Sequence, residues 1–133
     1  MLAYTYKIRL AKFGMDPLAR SVTDEQFLKL LSVWELIRTR HREIPAQAIT
    51  VLLYVASHNP CHKQAIEEDQ GLTTASCSRM IDLLHEGPGR AGVSGIGLGL
   101  ITKEYDLSNK RRILIRLSSR GQSLVQEIKQ ILS

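Results

Sequence analysis

Arg79 and the run Lys110, Arg111, Arg112 are the side chains in this chain best suited to gripping a polyanion. Arg79 follows Ala75, Ser76 and Ser78 within GLTTASCSRMIDLLHEG. Small side chains allow close approach, hydroxyls bond bases or phosphates, and an arginine fork can hold a guanine edge through two donors. Lys110, Arg111 and Arg112 sit in ITKEYDLSNKRRILIRLSSRG, where Lys103, Arg116 and Arg120 add charge and Glu104 and Asp106 are the only acids. Cations gathered on an exposed tip, instead of interleaved with acids, suit phosphate contact. Each piece also has a plainer reading. The first is an amphipathic surface helix with a solvated arginine; the second is an edge hairpin guarded by charge against aggregation. Their occurrence together, in this order, favours a nucleic-acid partner.

Other chemistry is weaker. His58, Cys61 and His62 lie close together, with Cys77 and His85 further on. The spacing His-x-x-Cys-His matches no common zinc pattern, and Cys77 falls on an apolar stripe, so loop histidines and buried thiols are the default. No metal and no cofactor are expected. A redox switch between Cys61 and Cys77 requires Cα atoms within about 7 Å. The acids are scattered and no nucleophile sits in a recognisable elbow, so the chain reads as a non-enzyme. Residues 87–99, GPGRAGVSGIGLG, carry the letters of a dinucleotide fingerprint in Gly87, Gly89 and Gly92. That motif connects a strand to a helix, whereas here it follows a helix. The insert reads as a flexible loop in which Arg90 can reach a phosphate. Val93, Ile96, Leu98 and Leu100 make it more apolar than a linker, which suits folding over the core or docking.

The elements that position the cations follow from pattern. Thr73 can cap a helix, and Gly87 sits where a left-handed residue would end it. Between them Cys77, Met80, Ile81 and Leu84 form one apolar stripe. Before it, the stretch from Cys61 to Asp69 reads as a short helix with Lys63 and Gln64, and Gly71 makes the turn. After it, Ile113, Ile115 and Leu117 alternate with Arg112, Leu114 and Arg116, an apolar face backed by a largely cationic one. Leu107-Ser108-Asn109-Lys110 supplies the turn. A crossing helix, a capped helix and a basic hairpin in this order are the layout of a winged helix-turn-helix. The fold class expected is mainly α with a small β-hairpin wing (α+β), flanked by N- and C-terminal helices. Ala75, Ser76, Ser78 and Arg79 would then meet bases, and Thr73, Thr74, Lys63 and Gln64 would lie on or near phosphates. Lys110, Arg111 and Arg112 would grip backbone or minor groove.

Asn109-Lys110-Arg111-Arg112-Ile113-Leu114-Ile115-Arg116-Leu117-Ser118-Ser119-Arg120-Gly121 resembles the wing signature of MarR-type regulators, an Asp-x-Arg, an apolar strand, Leu-Thr and a Gly. Arg111 falls on the wing arginine and Leu117-Ser118 on the Leu-Thr. Ser78-Arg79-Met80-Ile81-Asp82-Leu83-Leu84 is similar to that family's recognition helix, and Ile44-Pro45-Ala46-Gln47-Ala48 to the entry of its preceding helix. Asn109 stands where the family carries an Asp that holds the wing arginine. The C-terminal helical region is short for that family. The resemblance covers the chain from Asp24 onward. It implies a DNA-binding transcriptional regulator, a homodimer built through N- and C-terminal helices, and a small aromatic or anionic effector between them. The alternative is a winged-helix docking module acting on a protein such as RNA polymerase or a replication complex. The apolar insert, Leu114 and the short C-terminal helix favour it.

At 133 residues the chain suits a single domain with a real core. A hydrophobic share of 44% and a charged share of 23% are ordinary for a globular protein. The net charge of +5 and pI near 9.5 favour an anionic partner. No apolar run approaches the roughly 20 residues that span a bilayer, so no membrane partner is expected. The N-terminal stretch has no continuous apolar core of signal-peptide type. With only two cysteines, this points to the cytoplasm. Residues 1–22 alternate near their start and read as an arm of open structure. Thr23-Asp24-Glu25-Gln26 reads as a capping box opening a long helix to about His41. Its stripe of Phe27, Leu30, Leu31, Trp34 and Ile37, widened by Leu28, Val33 and Leu36, exceeds what one small core needs. Self-association and deep burial are the two explanations. Pro45 opens a further helix to about Ser57. Ser119 with Gln122 caps the last helix, striped by Leu124, Ile128, Ile131 and Leu132.

Overall fold

A computed structural model describes residues 18, 20, 22–85 and 97–133, apart from the side chain of Lys110. Most of the N-terminal arm and residues 87–96 of the Gly-rich insert, with Arg90, lie outside the described residues. The described chain runs α1 (Glu25–Arg40), α2 (Ala46–Ser57), β1 (Cys61–His62), α3 (Lys63–Gln70), α4 (Thr74–Leu84), β2 (Ile101–Asp106), β3 (Asn109–Leu117) and α5 (Ser119–Leu132). This is the mainly helical, α+β architecture expected. The chain divides into two units, one taking the residues up to Glu43 with Glu127–Ser133, the other Ile44–Gln126.

In the first unit, α1 starts on Asp24, whose carboxylate accepts from the amides of Gln26 at 3.0 Å and Phe27 at 3.2 Å. The sequence pattern puts this start at Thr23; the capping is done one residue later, by the stronger acceptor. Arg38 and Arg40 occupy the last turn, where cations oppose the helix dipole. The wide apolar stripe splits in two. Leu28, Val33 and Ile37 are buried, whereas Phe27, Leu30, Leu31 and Trp34 are exposed at 69, 57, 55 and 44%. The end of α5 is held to α1 by Arg40–Glu127 at 2.6 Å and by Lys29 Nζ on the Ser133 carbonyl at 3.3 Å.

In the second unit, α2 begins after Pro45 and buries Ala48, Val51, Leu52 and Val55. It packs against α4, and α3 packs against both α4 and β3. Cys61 and His62 are extended, not helical as their sequence suggested. They pair antiparallel with Ile115 and Leu114, giving a sheet of order β1-β3-β2. The Asn59 side chain holds that edge by accepting the Leu117 amide at 3.1 Å. Two residues are too few for a strand periodicity, so only the tertiary pairing reveals β1.

Gly71 ends α3 in the left-handed region, φ 62°, where a side chain would be strained. Thr73 then caps α4 through its hydroxyl, which accepts the Ser76 amide at 3.1 Å. α4 stops at Leu84, before the Gly87 predicted as its end. The returning chain explains this: the Leu98 and Leu100 amides donate to the last-turn carbonyls of Leu83 and Leu84 at 2.7 and 2.8 Å, and Gly99 donates to His85 at 3.2 Å. Orphan carbonyls that a left-handed cap would satisfy are met instead by a strand-like segment.

β2 and β3 form the hairpin, with Ile101 opposite Leu117 and Tyr105 opposite Ile113. The turn is tighter than expected. Asn109 already pairs with Asp106, so Asn109 and Lys110 belong to β3. Asp106 closes the turn by accepting from the Ser108 amide at 2.9 Å and hydroxyl at 2.7 Å. The last helix is capped by Ser118, not by Ser119 with Gln122, and the same residue ties that helix to the base of the hairpin. The Ser118 hydroxyl donates to the Gly99 carbonyl at 2.6 Å and accepts the Gly121 amide at 3.0 Å.

Candidate nucleic-acid interface

α3 and α4 are fastened at their junction by Lys63. Its ammonium lies 3.0 Å from Glu67 and 3.4 Å from the Thr74 carbonyl, and its side chain is only 13% exposed. The charge expected to meet phosphate is therefore already satisfied within the fold, and Lys63 orients the start of α4. Gln64 is exposed and donates to Glu68 at 3.0 Å. On α2, Tyr54 donates to Asp69 of α3 at 2.6 Å, and that carboxylate pushes the phenol up to about 12.

α4 shows the division its sequence implied. Cys77, Ile81 and Leu84 are buried and Met80 is half-buried. Thr73, Thr74, Ala75 and Arg79 are exposed, while Ser76 and Ser78 are half-buried. The Arg79 guanidinium donates to the Ser76 hydroxyl one turn back, at 3.3 Å, which leaves most of its donors available. Asp82, one turn further on, binds Lys103 of β2 at 3.1 Å. Residues three apart are neighbours on a helix surface, so this ion pair fixes the root of the hairpin beside the flank of α4 that carries Arg79.

The hairpin cations separate into committed and uncommitted groups. Lys103 is taken by Asp82 at 3.1 Å and Arg116 by Glu104 at 2.8 Å. Arg120 lies along the backbone at Gly99 and donates to the Leu98 carbonyl at 3.5 Å. Arg111 and Arg112 are exposed and form no ion pair among the described residues. Asn109 accepts the backbone amide of Arg111 at 3.1 Å, so it shapes the chain at the wing arginine. Sequence reasoning weighed His62 only as a metal ligand and missed its contact with Asp106, 2.8 Å away. The Ser108 bonds and then His62 hold the Asp106 carboxyl down at about 2.

Among the described residues no group of three or more His, Cys, Asp or Glu could hold a metal ion. His58 stacks on Tyr54 with ring centroids 4.4 Å apart, and His62 is bound to Asp106. Cys61 and Cys77 are buried free thiols, pushed up to about 11 by burial. A thiol so held carries little thiolate near neutral pH.

No family model matches the sequence, and no curated protein matches it. Solved structures do match. RV1404 from Mycobacterium tuberculosis superposes with a TM-score of 0.60 at 18% identity, over 80% of this chain and 65% of that one. A MepR mutant from a multidrug-resistant S. aureus clinical isolate gives 0.58 at 18% identity, over 96% and 74%. A MarR mutant from E. coli complexed with operator DNA gives 0.53 at 14% identity, over 80% and 70%. The chain thus has the winged-helix fold of the MarR type. It spans just under two thirds of the RV1404 chain, 65%.

Proposed function

We propose that the chain is a sequence-specific DNA-binding transcriptional regulator of MarR-like type that acts by binding and not by catalysis. α4 enters a major groove with Ala75, Ser76, Ser78 and Arg79 toward base edges. Thr73, Thr74 and Gln64 lie at phosphates, and Lys110, Arg111 and Arg112 run along the backbone or minor groove. One observation carries this reading. The exposed Arg79 flank of α4 is tied through Asp82–Lys103 to a hairpin whose Arg111 and Arg112 have no acidic partner among the described residues. A charge left without an acidic partner on an exposed hairpin is available to a phosphate at no cost in broken ion pairs. The fold is one that, in a MarR mutant, is found complexed with operator DNA.

The proposed assembly is a homodimer through the N- and C-terminal helices. Phe27, Leu30, Leu31 and Trp34 recur along one face of α1, and Leu132 at the end of α5 is 54% exposed. An apolar stripe of this kind on a small protein marks an interaction surface. The proposed place of action is the cytoplasm; among the described residues no helix is long and apolar enough to cross a membrane.

Docking onto a protein such as RNA polymerase is the second reading, favoured by Tyr105 and Leu107, 70% and 100% exposed on the hairpin. A salt titration of binding to random duplex DNA separates the two. Log K should fall by roughly 0.9 per phosphate neutralised for each decade of salt. Salt-insensitive binding, or none, would remove the DNA reading and leave the docking one.

A further inference from the structure

We infer that His62 is a positioning residue for the wing, joining the entry of the helix-turn-helix to the far end of the hairpin; this rests on the DNA-binding reading above. His62 occupies two roles at once. Its backbone pairs with Leu114 in β1 and immediately precedes the first turn of α3. Its side chain does not cap that helix but crosses β3 to place Nε2 2.8 Å from Asp106 Oδ2. Asp106 ends β2, and its other oxygen, Oδ1, closes the turn through the Ser108 amide and hydroxyl. The two carboxylate oxygens therefore divide the work, one shaping the tip and the other anchoring it to the body.

A two-stranded hairpin is marginal alone and bends freely beyond the last residue that packs on the core. In the wing the buried face ends early. Ile115 and Leu117 are buried, Ile113 is only half-covered, and Tyr105 and Leu107 are exposed. The ladder partner β1 covers β3 only at Ile115 and Leu114. Beyond that point the described contact tying the tip to the second unit's body is His62–Asp106. With the carboxylate ionised, Nε2–H donates, a charge-assisted bond of the stronger class. Its function is to hold Arg111 and Arg112 at a fixed reach from α4, so that both can engage the duplex with Arg79.

The test is duplex-DNA affinity together with hydrogen exchange at the hairpin turn, for wild type, His62→Ala and His62→Gln. His62→Gln keeps an N–H donor at similar reach. His62→Ala is expected to weaken binding about tenfold, to speed exchange of the Ser108 amide, and to be largely rescued by His62→Gln. In an Arg111→Ala/Arg112→Ala background His62→Ala should cost nothing further, because the residue acts through those cations. Should His62→Ala fail to fold, His62→Phe, which keeps a ring without the donor, gives the same readout. Unchanged exchange, an equal loss in the double-arginine background, or failure of His62→Gln to rescue overturns the inference. Faster exchange in a protein whose wild type binds no duplex would leave the latch standing as structure, overturn its positioning role, and remove the DNA reading itself.

Discussion

Arg79 and Arg112 have different roles in the proposed interface, and single alanine substitutions separate them. Arg79→Ala should cost about 1–3 kcal/mol on the preferred site and little on scrambled DNA, because it removes base contacts. Arg112→Ala should weaken both duplexes alike and reduce the salt slope by about 1, the signature of a lost phosphate contact. Anisotropy titrations on the two duplexes check this; parallel losses for both variants would contradict the assignment. Asp106 sets a pH dependence. Its folded-state value is depressed from 3.8 to about 2, so its contribution to stability is complete above the unfolded value and is lost as pH falls through that window. Asp106→Asn should flatten the acid limb of stability between pH 3.8 and about 2, read from urea midpoints against pH. Residue types were legible in the sequence, but their partners were less so. Lys63 and Glu67 are spaced as helix neighbours, and the pairing could have been anticipated. Asp82–Lys103 and His62–Asp106 span folds in the chain that no local pattern records.

At the scale of elements, the glycine after β3 is a constraint of close packing. A Cβ on Gly121 would lie 2.0 Å from the Leu100 carbonyl oxygen, a backbone atom that cannot swing aside. Gly121→Ala should therefore destabilise the second unit by about 1–3 kcal/mol or more, measured by urea unfolding; near-neutral stability would show that the hairpin base relaxes. The helices and the hairpin were legible because each carries its own period, 3.6 for α4 and 2 for β3. What escaped was fixed by tertiary partners. β1 exists only through β3, and α4 ends at Leu84 because Leu98 and Leu100 satisfy its carbonyls. The wing arginines read correctly as exposed, whereas Lys103, Arg116 and Arg120, equally cationic in the sequence, are engaged within the fold.

For the whole molecule, the wide stripe of α1 raises the question of what covers it. Its sequence showed too many apolar positions for one core, and the structure separates Leu28, Val33 and Ile37 from the exposed Phe27, Leu30, Leu31 and Trp34. In the proposed homodimer a second copy covers it, so Leu31→Glu with Trp34→Glu should convert a dimer to a monomer in analytical ultracentrifugation while leaving the helix content unchanged. It should also lower DNA affinity by losing the second half-site. Everything proposed for this chain depends on α4 and the wing forming a single DNA-binding surface, and amide shifts followed during titration with a duplex would reveal that surface residue by residue. Perturbations should concentrate at residues 73–79 and 107–112. Shifts confined to the exposed face of α1, or absent from either α4 or the wing, would contradict a shared surface.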